Sequence, residues 1–460
     1  MKTRIINTSL LFVGALMLGL MSQTLMAKTS LNLDEAIQLA LVNDPRIEEK
    51  RAFVRKAQAM LDEAEGSAGF RYGADSFLAI ATGLDGGFYE GGAESCTSNC
   101  TPRSDTYDFN DGYSFWAGMT FSIIKPLATF GRLENFQKAA QQNILVKQQD
   151  VELQRASIRL DVVKAYYGYL TARDSRFLLE DTHKRLESAL ELVNGWLDGD
   201  SGKVSLSDRY ALESGLGLIE SFLANAKGIE AIAMEGLKLL TGLQSETVEP
   251  KDRRLLPLAL PDQSAEEWIA LALENRPEFR QVEAGLVARR ALLEATRSDK
   301  KPIVFAGVAG SLAFAPGRDR LDNPHIYDLY NHTALSPVVG MRWEWEAGAQ
   351  PARVAQAQAD LEALVQKASF ARQGIPFQVR EQYHLVQSKF ESIQAMKSSA
   401  QAARRWMIAA YTDFEAGLEE ADKILTAMQV YVMAYAEYLK IVNDFNNHVF
   451  KLKSVSGVYE

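Results

Sequence analysis

Two hydrophobic patterns alternate along the chain. Segments of helical character cover about 33–65, 131–198 and 206–243, and again about 265–300, 351–415 and 419–454. Strand-like stretches lie at 70–81 and 113–123, then at 303–314 and 339–346. From Tyr113 to Ile123 the odd positions are apolar and the even ones mostly small or polar, the period-two signature of a strand with two unlike faces. Val339, Met341, Trp343 and Trp345 alternate still more strictly with Gly340, Arg342, Glu344 and Glu346. The stretches 70–81 and 303–314 alternate poorly and are read as strands only through their position beside the other two.

Element length carries the next constraint. At ~1.5 Å per residue the two longest helices each extend roughly 100 Å, and 206–243 and 419–454 about 50–57 Å. Such helices need partners along their whole length, as in a coiled coil, although an ordinary helical bundle is the alternative. About ten residues with apolar and polar positions alternating, and aromatics near an end, mark an outer-membrane strand; a half-buried strand of a soluble sheet is the competing assignment. Four strands cannot close a barrel, and open sheet edges are not tolerated in lipid. Placement in a bilayer therefore demands an oligomer.

The grammar repeats. Leu39-Ala40-Leu41-Val42-Asn43-Asp44-Pro45 returns as Leu271-Ala272-Leu273-Glu274-Asn275-Arg276-Pro277, and Gly131 and Tyr166 return as Gly348 and Tyr383. The two spacings imply 15 extra residues in the first half, assigned to the loop around Cys96. We expect a signal segment at 1–27, a first structural repeat at 28–247, a connector at 248–263 and a second repeat at 264–460. Pro250 and Pro261 in that connector cannot continue a helix.

Lys2 and Arg4 precede an apolar run from Leu10 to Leu20 and then Ala27, which reads as a secretory signal. That run is too short to span a bilayer, which takes ~20 residues. No cysteine follows the expected cut, so no lipid anchor is expected. The formal charge is −9, which gives no support to nucleic-acid binding. Two cysteines exclude a disulfide scaffold and a multi-cysteine metal site. Their Cys96-Thr97-Ser98-Asn99-Cys100 spacing suits a local disulfide in an oxidising compartment.

Chemistry is sparse. None of His183, His325, His332, His384 and His448 sits in an H-E-x-x-H motif, and solvated loop residues explain His325 and His332 better than a metal site. Gly215-Leu216-Gly217 lacks a third glycine, and Asp198-Gly199-Asp200-Ser201-Gly202 lacks the closing glutamate of a calcium loop. Neither a nucleophile elbow nor a P-loop occurs. We expect no enzyme and no cofactor.

Together, the signal segment, the duplicated L-A-L-x-N-x-P openings, the two strand pairs and Phe130-Gly131-Arg132 before a long helix resemble the TolC family of outer-membrane efflux and secretion channels. The resemblance covers about Leu31 to Ser456. It implies a mixed α and transmembrane β fold: a duplicated long-helix coiled-coil tunnel, with four strands per chain contributing to a trimeric 12-stranded barrel. It implies location in outer-membrane lipid with extension into the periplasm, and partnership with a periplasmic adaptor (membrane fusion) protein and an inner-membrane pump. The chain would conduct passively what the pump delivers. Its competitor is a secreted periplasmic coiled-coil protein without a pore. One departure is Gly66-Ser67-Ala68-Gly69, where the family commonly has a proline entering the barrel.

The same resemblance puts acidic residues at the periplasmic aperture: Asp208 in the first half, and Glu419, Glu420 and Asp422 in the second. Gly417, Asp422 and Leu425 follow the spacing at which the family places aperture carboxylates. Helix-start carboxylates also complement the helix dipole, so both roles stand. Arg209 is the expected partner of these acids. Tyr113, Trp343 and Trp345 are expected to face lipid near a membrane interface, with Trp116 on the opposite parity.

Overall fold

A computed structural model describes residues 28–83, 98–99, 101–102, 112–199, 204–244, 247–318, 320, 325 and 327–459. The signal segment 1–27 and both Cys96 and Cys100 lie outside the described residues. The chain forms two compact units, and each draws on both sequence halves.

One unit comprises residues through Pro45, Arg155–Trp268 and Val379–Glu460. It holds β1 (Lys28–Leu31), α1 (Leu33–Asn43), most of α3 (Arg132–Asp198), α4 (Leu206–Thr241), β4 (Thr247–Pro250), the later part of α7 (Ala349–Glu415) and α8 (Ala421–Val455). Its core is built from α3, α4, α7 and α8. The buried residues repeat at heptad spacing: Leu179, Leu186 and Val193 on α3; Leu212, Ile219 and Ala226 on α4. Ala400, Ala403, Met407, Ala410 and Phe414 on α7, with Ile424, Met428 and Tyr431 on α8, alternate steps of three and four. That spacing keeps one stripe of each helix facing its neighbours, as in a coiled coil.

The segment from Thr247 to Pro261 lies against this bundle and begins as a short strand. β4 pairs in parallel with β1. Asn446, fully buried on α8, accepts from Leu258 N and donates to Leu256 O, both at 2.9 Å. Leu255 N donates to Asp174 at 2.8 Å, and Tyr166 donates its hydroxyl to Asp252 at 2.7 Å. Burial pushes the Tyr166 phenol and the Asp174 carboxyl above their ordinary ranges. Asn43 of the repeated motif donates to Thr241 O at 2.8 Å, tying the end of α1 to the end of α4.

The other unit comprises Arg46–Gln154 and Ile269–Gln378. It contains most of α2 (Pro45–Gly66), the start of α3, α6 (Pro277–Ser298) and the start of α7, together with a four-stranded sheet. The sheet strands are β2 (Arg71–Thr82), β3 (Tyr113–Ala128), β5 (Ile303–Phe314) and β6 (His332–Arg342). They are antiparallel in the order β2-β3-β5-β6.

Several expected boundaries change. The helices expected over 33–65 and 265–300 are each two helices, since α1 gives way to α2 at Asp44 and α5 (Ala265–Asn275) to α6 at Arg276. Each break residue precedes a proline and takes an extended backbone, ψ 119° at Asp44 and 128° at Arg276. The proline ring disfavours helical geometry in the residue before it, then starts the next helix at a position that needs no amide hydrogen. The strand expected to end at Ile123 continues to Ala128 through an irregularity at Pro126. The last strand is β6, at His332–Arg342, rather than 339–346. Its ladder ends where Ile303 pairs with Arg342. Pro302, next on the partner strand, has no amide hydrogen to extend it. α8 begins at Ala421, two residues after the expected start.

Candidate functional site

Side-chain direction in the sheet follows from its register, because directly opposed residues share a face. One face carries Tyr72, Leu78 and Ile80 of β2; Tyr113, Phe115, Met119, Phe121 and Ile123 of β3; Val308, Leu312 and Phe314 of β5; and Leu335, Val339 and Met341 of β6. Among these described positions the only charge is Lys125, at the end where the strands run into helices. This apolar face is bare: Leu78 is 76% exposed, Ile80 77% and Val339 79%. The other face carries Asp75, Ser114, Thr120, Ser122, Ser311, Ser336 and His332, with Arg71 and Arg342 at the helix end.

Three glycines are each opposed by a phenylalanine: Gly118 by Phe77, Gly310 by Phe121 and Gly340 by Phe305. In each pair the ring lies so close over the glycine that a Cβ there would overlap it. A ring over a glycine keeps the sheet packed where no side chain is available. This is why β2 and β5 alternate so poorly in sequence.

The expected aromatics divide between the sheet's two ends. Tyr113 opens β3, opposite Thr82, at the end away from the helices, and lies on the apolar face. Trp343 and Trp345 follow β6 at the helix end, exposed and beyond the ladder, so they are not strand residues as expected. The Trp343 indole donates to Lys300 O at 3.0 Å. Trp116 is on the polar face, with ring centroids 4.5 Å from Phe77 and 4.8 Å from Tyr330.

The acidic residues lie at the starts of α4 and α8. Asp208 is the third residue of α4 and closes a capping box, accepting from Ser205 N at 2.8 Å and Ser205 Oγ at 2.7 Å. At the second turn Gly417, with φ of 75°, ends α7, and Leu418 N returns to Asp413 O at 2.9 Å. Glu420 is the N-cap of α8 but supplies no side-chain cap. Glu419 pairs with Lys423, and this partner holds the ammonium above the ordinary lysine range. The Asp422 carboxylate, exposed in the first turn of α8, makes no hydrogen bond or ion pair among the described residues. Within the chain the Arg209 guanidinium lies 2.8 Å from Glu213 on its own helix. An i to i+4 partner is always within reach on a helix surface.

Sequence reasoning missed the ring-over-glycine pairs and the Trp116 cluster, which depend on cross-strand register. It also passed over the heptad spacing of Leu179, Leu186 and Val193, which is legible in the chain. No helix among the described residues is long and apolar enough to cross a membrane, and no cluster of His, Cys, Asp or Glu there could hold a metal ion.

One unit with a core of coiled-coil spacing, and another whose antiparallel sheet bares one apolar face, define a mixed α and β class of protein. The profile of the outer membrane efflux protein family matches residues 36–195 and 268–458, and the chain belongs to that family. It is thus an outer-membrane transport channel that extends into the periplasm, and not an enzyme. Among curated proteins it is similar to the alkaline protease secretion protein AprF of Pseudomonas aeruginosa, with 23% identity over 94% of this chain and 85% of AprF. The cation efflux system protein CusC of Escherichia coli is 28% identical over a shorter stretch, 37% of this chain and 36% of CusC. Among solved structures, the Campylobacter jejuni CmeC outer membrane channel superposes with a TM-score of 0.74 at 15% identity, over 93% of this chain and 85% of that one. The Vibrio cholerae outer membrane protein VceC gives 0.71 at 13% identity, over 93% and 96%. At those identities the likeness shows the fold.

Proposed function

We propose that three copies of the chain close their sheets into one twelve-stranded barrel, which forms the outer-membrane exit of an efflux or type I secretion system. The observation that carries this reading is the sheet. Its apolar face is exposed in the single chain, and neither β2 nor β6 has an outer neighbour among the described residues. Water disfavours the face and lipid disfavours the edges, so only lipid on one side and symmetry-related strands at both edges satisfy them together. Strands of 11 to 16 residues are long enough to cross a bilayer when tilted. The apolar face then meets lipid and the polar face lines the pore. Tyr113 stands near one interface, and Trp343 and Trp345 near the other.

Energy for export comes from an inner-membrane pump reached through a periplasmic adaptor, as expected for a component of such systems. Asp422, whose carboxylate makes no hydrogen bond or ion pair among the described residues, lines the periplasmic aperture, with Glu419, Glu420 and Asp208 beside it. Threefold repetition makes Asp422 a ring of carboxylates that attracts cations. The two sequence halves are a duplication, which supplies each copy with two strand pairs and two helix pairs. A secreted coiled-coil rod would have no use for a bare apolar sheet face.

The test is the assembled state. Outer-membrane fractions should yield a heat-modifiable trimer that conducts ions in planar bilayers. A monomeric, soluble periplasmic rod would end the proposal.

A further inference from the structure

The polar face of the sheet is not open along its full length. At the end away from the helices, residues of the β5–β6 connection fold back over it, and three separate contacts fix them there. Gly317 N donates to Ser114 Oγ at 3.0 Å, and Ser114 is on the polar face of β3. Tyr330 lays its ring 4.8 Å from Trp116, which stands on the same face. The Tyr327 hydroxyl meets His332 Nε2 at 2.7 Å, and that nitrogen lies 3.1 Å from Ser311, again on the polar face.

Arg318 joins these elements. Its guanidinium sits 3.9 Å above the Tyr330 ring centre and donates to Thr82 O at 3.0 Å, the last residue of β2. A guanidinium can stack on an aromatic face and donate in its own plane at the same time, which an ammonium cannot reproduce. Two buttresses hold the roots of the connection. Asn331 accepts from Ala315 N at 2.9 Å and donates to Arg318 O at 3.2 Å. Buried Asp328 accepts from Tyr330 N at 2.9 Å and Asn331 N at 3.0 Å.

We infer that Arg318, Tyr330 and Trp116 form a fixed clasp that sets the width of the pore at its external mouth, and so the size of cargo that can leave. The inference rests on the polar face lining the pore, as proposed above. Three clasps, one per subunit, then project into a single opening. Their position on the face opposite the lipid means that Arg318, Tyr327 and Tyr330 occupy pore volume. Thr82, Ser114 and Arg318 belong to three different chain segments, so the clasp also fastens the ends of β2, β3 and β5 to one another.

Single-channel conductance of the purified wild type, R318A, R318K and Y330L in planar bilayers tests this. R318A and Y330L should raise conductance on the order of twofold, as expected when the narrowest hydrated section limits flow. They should also admit polyethylene glycols larger than the wild type accepts from the external side. R318K keeps the charge but not the stacked, forked geometry, so it should conduct like R318A. If R318K instead matches the wild type while R318A differs, Arg318 acts as a point charge and the clasp is overturned. A conducting wild type whose conductance and polymer cut-off are unchanged in both R318A and Y330L overturns the clasp alone. A wild type that does not conduct overturns the pore reading and the clasp with it. Heat-modifiable trimer on gels is the folding control, and Y330L is read in place of R318A if the latter fails to assemble.

Discussion

Phe77 lies across Gly118, its direct partner on the neighbouring strand, and leaves no room for a side chain there. The pair shows how a sheet with two demanding faces tolerates glycine: the ring occupies the space that a side chain would take. Gly118→Ala should force the ring aside at a cost of about 1–3 kcal/mol, as overpacking does. The yield of heat-modifiable trimer should fall. Phe77→Ala combined with Gly118→Ala should recover much of it, because residues in contact are not additive. Equal yields from Gly118→Ala and wild type would show that the ring has freedom the packing denies.

Asp208 and Asp422 should separate by kind of effect. Asp208→Ala removes a capping-box acceptor and should destabilise the start of α4 by about 1 kcal/mol, seen as faster amide exchange through its first turn. Asp422→Asn removes no hydrogen bond or ion pair among the described residues and should change stability by less than about 0.5 kcal/mol. It should nevertheless lower cation preference and weaken block by multivalent cations. Unaltered selectivity and block would take Asp422 out of the pore.

His448 makes the helical unit sensitive to acid. Burial holds its imidazole below the ordinary histidine range, with Asp444 and Glu381 opposing and Lys389 reinforcing that shift; Nδ1 lies 2.9 Å from Gln382. An unfolded histidine takes up its proton near pH 6.5, before the folded one does. Stability is therefore complete above about pH 6.5 and declines as pH falls from there toward the lower folded value. His448→Gln should flatten that decline in thermal melts between pH 7 and pH 5. A parallel decline in the variant would assign the acid sensitivity to other groups.

Asn446 holds the connector by two backbone bonds while fully buried. Asn446→Leu leaves Leu258 N–H and Leu256 C=O without partners, at a cost of roughly 2–4 kcal/mol. Limited proteolysis should then cut between Leu255 and Pro261 in the variant and spare the wild type. Equal resistance would mean that the connector is held by its other contacts.

Cys96 and Cys100, outside the described residues, are expected to form a local disulfide. Intact-mass measurement after alkylation without reductant should show neither thiol labelled. Two labelled thiols would refute the pairing.

Local rules made part of this protein legible in its chain. Alternation from Tyr113 to Ile123 gave β3 two unlike faces, and Ser205 with Asp208 three residues later is a helix start readable without coordinates. Periodicity located the long helices, because a repeat of apolar positions needs no knowledge of what it will touch. Pro45 and Pro277 should have marked the helix breaks, since the restriction on Asp44 and Arg276 comes from the next residue alone. Tertiary structure decided everything that depends on a partner. β2 and β5 become strands through register, which lays Phe77 and Phe305 over glycines of β3 and β6 and brings Phe121 over Gly310. Trp343 and Trp345 leave the ladder because Pro302, far away in sequence, ends it. Tyr166 finds Asp252, and Arg318 bridges Thr82 and Tyr330, across separations where no local pattern operates. Period and capping are properties of a few neighbouring residues; register and long-range packing exist only between segments, once the chain has brought them together.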